Sequence, residues 1–264
     1  FIGNHVEGNG THGLGILGVA EHCAIVGNTA EANGPDSDNF TGYNAANHDI
    51  IVANNVSRGG LNHGIHFGGG RVVYVGNTSI GTVVGNGILH SNHDATDDYE
   101  VVVVGNTCSG ATLSGIRVDR VNGAVVAGNS SSLNARNGIY VSSCDDVVVS
   151  GNTARGNTLS GFRLDVVDGG AFGGNVALGN TQRGMYFTTC NDVAVVGNQC
   201  RDNTMDGIRT ATAGARLVIS NNICRANQAA GIRIDAVTGA KVLGNVATGN
   251  TDRGFVAGTG STSL

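Results

Sequence analysis

Short β-branched runs alternate along the chain with clusters of Gly, Asn, Ser and Thr. The same valine run ending in Gly-Asn keeps returning, as AIVGNT at 24–29, VVVGNT at 102–107, VVVSGNT at 147–153 and VAVVGN at 193–198. The closing asparagine falls at Asn4, Asn28, Asn55, Asn77, Asn106, Asn129, Asn152, Asn175, Asn198, Asn222 and Asn245, and from Asn106 onward the interval is 23 residues, once 24. A Gly followed by an apolar residue runs in phase, from Gly15-Ile16, Gly64-Ile65 and Gly87-Ile88 through Gly115-Ile116 and Gly138-Ile139 to Gly254-Phe255. Self-similarity at a fixed period of this length identifies a repeat architecture. Each repeat carries two short strands separated by turn residues, and no helical period appears.

One such repeat cannot bury its own apolar face, whereas stacked repeats can, each coil pairing in parallel with its neighbours at about 4.7–4.9 Å. The expected fold is therefore all-β: a single-stranded parallel β-helix of about ten to eleven coils in one domain, 1–264. Residues 1–106 form irregular coils with insertions near 31–41 and 91–99, and 107–264 form regular 23-residue coils. If the closing asparagine points inward, the eleven stack into a ladder of side-chain amides, and the preceding Gly supplies a turn conformation closed to residues with a Cβ. With 44 Gly, one Pro, no Trp and 13% charged residues, the composition suits small residues in tight turns. The regular apolar spacing separates it from disordered low-complexity sequence.

The Asn-rich GN and GI coils resemble right-handed parallel β-helix proteins of the pectate-lyase-like group, and within it mannuronan C5-epimerases and polyuronate lyases. The resemblance covers essentially the whole chain. It implies a right-handed solenoid, an acidic polysaccharide as partner, epimerase or lyase chemistry if the chain is catalytic, and an extracellular or cell-surface location. The family's Tyr-Gly-Phe-Asp-Pro-His type signature is absent; TGYNAANH at 41–48 keeps a Tyr and a His at altered spacing. The alternative is a non-catalytic rod, a surface or phage-tail-type β-helix.

Three of the six cysteines, Cys108, Cys200 and Cys224, sit two residues after the ladder asparagine, where other repeats place Ala or Ser. Buried free thiols suit that column better than a Cys200–Cys224 bridge. Cys144 and Cys190 share another position two coils apart, too distant to bridge. The net charge of −5 argues against a nucleic-acid partner, and no transmembrane run, signal peptide or basic tract is evident. Neither end carries a visible amphipathic cap, so further domains or subunits are expected to cover the solenoid ends.

In a regular solenoid the irregular coils are the informative ones. All eight histidines, His5, His12, His22, His48, His63, His66, His90 and His93, fall in the first 93 residues, the stretch that also holds the insertions. Histidine exchanges protons near neutral pH, which marks this half as the candidate active region. Within LNHGIHF, 61–67, His66 takes an outward position and His63 the preceding turn, with Asn44 and Leu89 expected in the neighbouring coils and Tyr43 nearby. His66, aided by His63 or Tyr43, is the candidate for proton transfer.

Alternation in strands such as GIRVD puts Ile and Val in the core and the residues between them outside. The outward rows then align Arg117, Tyr140, Arg163, Tyr186, Arg209 and Arg233, with Asp119, Asp165 and Asp235 beside them. Alternate coils stand roughly 9.5 Å apart, comparable with two sugars of an extended chain. Arginine holds a carboxylate bidentately and tyrosine offers a flat face, so Arg117, Asp119, Tyr140, Arg163, Asp165, Tyr186, Arg209 and Arg233 are candidate substrate contacts. Equally, Arg117-Asp119, Arg163-Asp165 and Arg233-Asp235 could pair with one another as surface decoration. No cofactor is expected. Asp94, Asp97 and Asp98 of DATDD could offer oxygen ligands to Ca2+, although the loop lacks the pattern of an EF-hand. No Cys/His spacing suggests zinc, and no Ser-His-Asp grouping stands out in chain order.

Overall fold

Every coil turns on its Gly-Asn pair. Gly27, Gly105, Gly128, Gly151, Gly174 and Gly197 hold φ between 62° and 67°, the left-handed region that costs glycine nothing. Where the sequence reads Asn-Asn, Asn54 and Asn221 adopt the same turn at φ 54° and 55°, a conformation asparagine tolerates better than most residues. The structure, a computed structural model, describes residues 1–34, 38–42, 44, 46–92, 100–212 and 214–261.

After each turn comes a strand of three residues, beginning with His5–Glu7, Thr29–Glu31 and Val56–Arg58 and ending with Val246–Thr248. Eleven of these pair into one parallel sheet. The Gly-Ile strands and the valine runs make the other two faces of a right-handed solenoid. In three coils these strands fuse into twelve-residue strands, Ile139–Ser150, Phe162–Gly173 and Met185–Val196. Left-handed residues bend each of them, Ser143 and Asp146 in the first, Val166 and Gly169 in the second, Thr189 and Asp192 in the third.

The asparagine ladder runs unbroken from Asn4 to Asn245. Each Nδ2 donates to the Oδ1 of the next coil's asparagine at 2.9–3.0 Å. The second Nδ2 hydrogen satisfies a backbone carbonyl, as Asn152 does at Val126 O, 2.8 Å. A second ladder lies five residues on. Asn134, Asn157, Asn180, Asn203, Asn227 and Asn250 bond in the same way at 2.9–3.0 Å. It starts afresh in the first coils, Asn9 to Asn33 to Asn39, and is missing where the fifth residue is Gly60, Thr82 or Ala111. The coils of Gly60 and Thr82 carry His63, His66 and His90.

Between the ladders runs the column of small residues, Ala30, Ser57, Ser79, Cys108, Ser131, Ala154, Ala177, Cys200, Cys224 and Ala247, paired in register coil by coil. Packing explains both this column and the glycine that faces it. A Cβ on Gly138 would lie 2.6 Å from the Gly161 carbonyl oxygen and 2.8 Å from the Ala154 Cβ. All six cysteines are free, and five are buried. Cys144 and Cys190 face Val167 from either side.

The first two coils follow a different frame from the expected one. Leu14 pairs with Phe40 and Phe40 with Ile65, so Gly13, nine residues after Asn4, is the column's glycine rather than Gly15. Phe40-Thr41 continues the row where Asn44 was expected, with Asn39 standing in the glycine's place. Among the described residues no helix is long and apolar enough to cross a membrane.

Candidate active site

His66 faces outward because its strand neighbours Ile65 and Phe67 are fully buried in the core. In register it lies between Thr41 and Leu89. Asn44, expected beside it, instead closes a turn, its Oδ1 accepting the Ala46 N–H at 3.0 Å.

Each insertion delivers one partner to the ring. Asp38, from the first, sets Oδ2 3.1 Å from His66 Nδ1, while its Oδ1 accepts the His63 backbone N–H at 2.8 Å. Ser91, at the start of the second, sets Oγ 3.1 Å from His66 Nε2. The His63 ring stands 4.9 Å from that of His66, and its Nδ1 accepts the Asn86 backbone N–H at 2.9 Å. Neutral His63 therefore carries its proton on Nε2.

Burial acts on these groups unequally. It raises the Asp38 carboxyl, but the hydrogen bond from His66 and the charges of His66 and His63 outweigh it and hold that carboxyl below its usual range. Burial, then the charge of His66, push His63 down to about 4, with Asp38 opposing and Arg117 adding to the effect. Behind the site, inward-facing His90 bonds through Nδ1 to the Tyr74 hydroxyl at 3.0 Å, and its Nε2 has no partner among the described residues. Burial, aided by the charge of His66, pushes His90 down to about 3.

Asp38, His63 and His66 each offer one ligand atom, all within 4.8 Å of one another, a donor set that suits zinc or non-haem iron. The bonds present leave little for an ion: His63 Nδ1 is already an acceptor, and both nitrogens of His66 face protein partners. Tyr43, His93, Asp94, Asp97 and Asp98 lie outside the described residues.

The outward row runs in register from His66 through Leu89 to Arg117, Tyr140, Arg163, Tyr186, Arg209 and Arg233. Arg117 and Arg163 pair with Asp119 and Asp165 at 3.2 and 2.7 Å. Arg233 reaches Asp206 and Asp252 instead of Asp235, at 3.2 and 3.3 Å, because Arg209 occupies Asp235 at 3.1 Å. Guanidinium and ring alternate as stacked layers: Arg117 and Arg163 lie 5.0 and 5.5 Å from the Tyr140 ring, and Arg163 and Arg183 lie 5.6 and 4.3 Å from that of Tyr186. At the start of the stripe a cleft of about 120 Å³ opens between Arg117, Arg136, Tyr140 and Arg163, with Asn86 and Asn137 on its wall and no carboxylate among its lining residues.

His66, His63 and the stripe stand out from the residues alone, whereas Asp38, Ser91, Asn86, Arg136 and Arg183 enter the site only through the geometry. Ser91 was readable as an outward residue, but the diagonal from one row to the other row of the next coil was not. Asp38 sits in an insertion, where no period indicates direction.

The family model for the right-handed β-helix region matches residues 40–199 and, in an overlapping second match, 114–264. No curated protein matches the chain by sequence. Among solved structures it is similar to a double mutant of the periplasmic alginate epimerase AlgG, with TM-score 0.69 and 17% identity over 99% of this chain and 71% of that one. The Dettilon tailspike protein gives TM-score 0.70 and 16% identity over 97% of this chain and 60% of its own. The A-module of the Azotobacter vinelandii mannuronan C-5 epimerase AlgE4 gives 0.58 and 13% over 90% and 81%. At these identities the likeness is one of fold. With the family model spanning residues 40–264, the chain belongs to the right-handed β-helix region family.

Proposed function

We propose that the chain binds an acidic polysaccharide along the outer face of its Gly-Ile strands and, through His66, removes the C5 proton of a uronate, as an epimerase or a lyase does. The observation that carries this reading is the cleft, where three arginines converge without a lining carboxylate in a chain of net charge −5. Its wall residue Asn86 hydrogen-bonds His63, which ties the anion-binding cleft to the imidazole pair. Alginate epimerases among the similar structures, one of them periplasmic, support a polysaccharide partner, and with a tailspike protein beside them they support a setting outside the cytoplasm.

The groups fall into complementary roles. Arg117, whose Nε is buried and without a partner among the described residues, neutralises the uronate carboxylate and so acidifies C5. Asp38 holds His66 with its proton on Nδ1, leaving Nε2 as the basic nitrogen. Neutral His63, protonated on Nε2, can return a proton to C5 or to a departing glycosidic oxygen.

The test is a calcium-free assay on polymannuronate and polygalacturonate, following deuterium uptake at C5 and the absorbance of unsaturated product. His66→Ala should reduce turnover at least about 100-fold, the usual share of a general base, while the melting temperature stays near that of the parent. Retention of full activity would place the base elsewhere. Silence of the parent on every acidic polymer would favour the non-catalytic rod, in which the arginines serve only to hold their own aspartates and tyrosines.

A further inference from the structure

We propose that Ser91, His66 and Asp38 form a nucleophilic relay that hydrolyses O-acyl esters carried on the hydroxyls of the bound polysaccharide. The relay itself stands on its own geometry; it rests on the preceding reading only for how the polymer is presented.

Three side chains lie in the order that nucleophilic acyl transfer requires. Ser91 Oγ is 3.1 Å from His66 Nε2, and His66 Nδ1 is 3.1 Å from Asp38 Oδ2. The nucleophile meets the base, and a carboxylate orients the base from behind. Asp38 is 2% exposed and its other oxygen is fixed by the His63 N–H, so the orienting group is rigid.

Ser91 differs from its equivalents in the same row. The row reads Ser91, Asp119, Ser142, Asp165 and Thr188 in register. Ser142 donates to Asp119 at 2.7 Å and Thr188 to Asp165, so a hydroxyl here ordinarily serves the carboxylate of the preceding coil. Ser91 meets an imidazole, the partner that can accept its proton.

The chemistry closes with water as the sole co-reactant. Ser91 Oγ attacks the ester carbonyl carbon while His66 Nε2 takes the hydroxyl proton, and Asp38 stabilises the imidazolium. The carbonyl–sugar C–O bond then breaks, and the sugar hydroxyl leaves with the proton from His66. Water, deprotonated by the same nitrogen, attacks the acyl-serine, releasing a carboxylic acid and restoring Ser91. The N–H following the serine, Asn92, is committed to Asp119 O at 3.2 Å, so the developing oxyanion needs a side-chain donor. Arg117 Nε, without a partner among the described residues, is the donor the adjacent coil offers.

An acylated acidic sugar fits this placement. Arg117 stands two coils from His66, roughly 9.5 Å along the axis, so a carboxylate held in the arginine cleft would leave a nearby sugar hydroxyl beside Ser91.

The probe is diisopropyl fluorophosphate, which labels a serine only when a neighbouring base activates it, applied to the full chain and read by peptide mass spectrometry. Acetate release from O-acetylated polyuronate and hydrolysis of p-nitrophenyl acetate are followed in parallel. Labelling is expected on Ser91 and should be lost in His66→Ala. Acetate release should fall at least about 100-fold in Ser91→Ala and in Asp38→Asn. Absence of label on Ser91 in the unmodified chain overturns the proposal without reliance on any variant, and so does acetate release that survives Ser91→Ala. A labelled Ser91 with no deuterium uptake at C5 would sink the epimerase or lyase reading alone; uptake at C5 with Ser91 unlabelled would sink this one alone.

Discussion

His90 shows what a single polar residue costs inside a solenoid. It is fully buried and spends one nitrogen on the Tyr74 hydroxyl, and its ring is pushed down to about 3. An unfolded histidine titrates near 6.5. Between these values the unfolded chain binds the proton and the folded chain does not, so stability rises with pH across the window and is lost as pH falls from about 6.5 toward 3. His63, pushed down to about 4, acts in the same direction over a narrower range. Lowering the pH from 6.5 to 4.5 should therefore cost about 2 kcal/mol through His90 alone, the slope approaching about 1.4 kcal/mol per unit once the unfolded histidine is mostly protonated. Urea denaturation at the two pH values checks this, and His90→Leu should flatten the dependence. At this scale the sequence disclosed which side chains face outward, because alternation in a strand is strict. It could not disclose that His66 bonds diagonally to Ser91, or that Asp38 folds back from an insertion onto the same ring.

The repeating element was more legible than any residue in it. Eleven asparagines, the last seven at intervals of 23 or 24 residues, pointed to one ladder, and ten coil-to-coil bonds form it. The second ladder lies five places on in the same repeats, without the valine run that marks the first. Its gap at Gly60, Thr82 and Ala111 follows the first insertion and spans the coil that holds the second. Asn39 bridges part of the gap, its Nδ2 donating to Ser57 Oγ at 2.9 Å and Arg58 O at 3.0 Å. The coils of His63, His66 and His90 keep the first ladder alone, whereas the later coils repeat both. Breaking a ladder should thus be costly in the regular coils. Asn152→Leu leaves Asn129 Nδ2 without its Asn152 acceptor and Val126 O without its donor, and should destabilise by about 1–3 kcal/mol. Asn180→Leu should do the same in the other ladder. Thermal melts of the two variants, each with unchanged far-ultraviolet circular dichroism, measure the cost.

Over the whole molecule, stacking turns a local alternation into a long surface. Arg117, Tyr140, Arg163 and Tyr186 stand one coil apart in register, and each guanidinium packs against the ring beside it. Most of this charge is internally compensated: Asp165 takes Arg163 Nε at 2.7 Å and the Tyr140 hydroxyl at 2.9 Å. In the cleft nearest the histidines Arg117 and Arg163 keep their aspartates, and Arg136 adds a guanidinium with no ion pair among the described residues, so anchoring and chemistry meet there while the rest of the stripe extends the footprint. A short oligosaccharide that reaches only from His66 to Arg117 leaves the later coils untouched, and a long chain crosses Arg163. Arg163→Ala should consequently weaken binding of long polyuronate chains roughly 10-fold or more, the loss of one charge-assisted contact of about 1.5–3 kcal/mol, and affect short oligomers much less. Raising the salt concentration should erode the difference, because exposed ion contacts are screened beyond about 10 Å at 0.1 M. Calorimetric titration with oligomers of increasing length, at low and high salt, measures both effects. An equal loss at every length would mean that Arg163 supports the cleft through Tyr140 instead of touching the polymer itself.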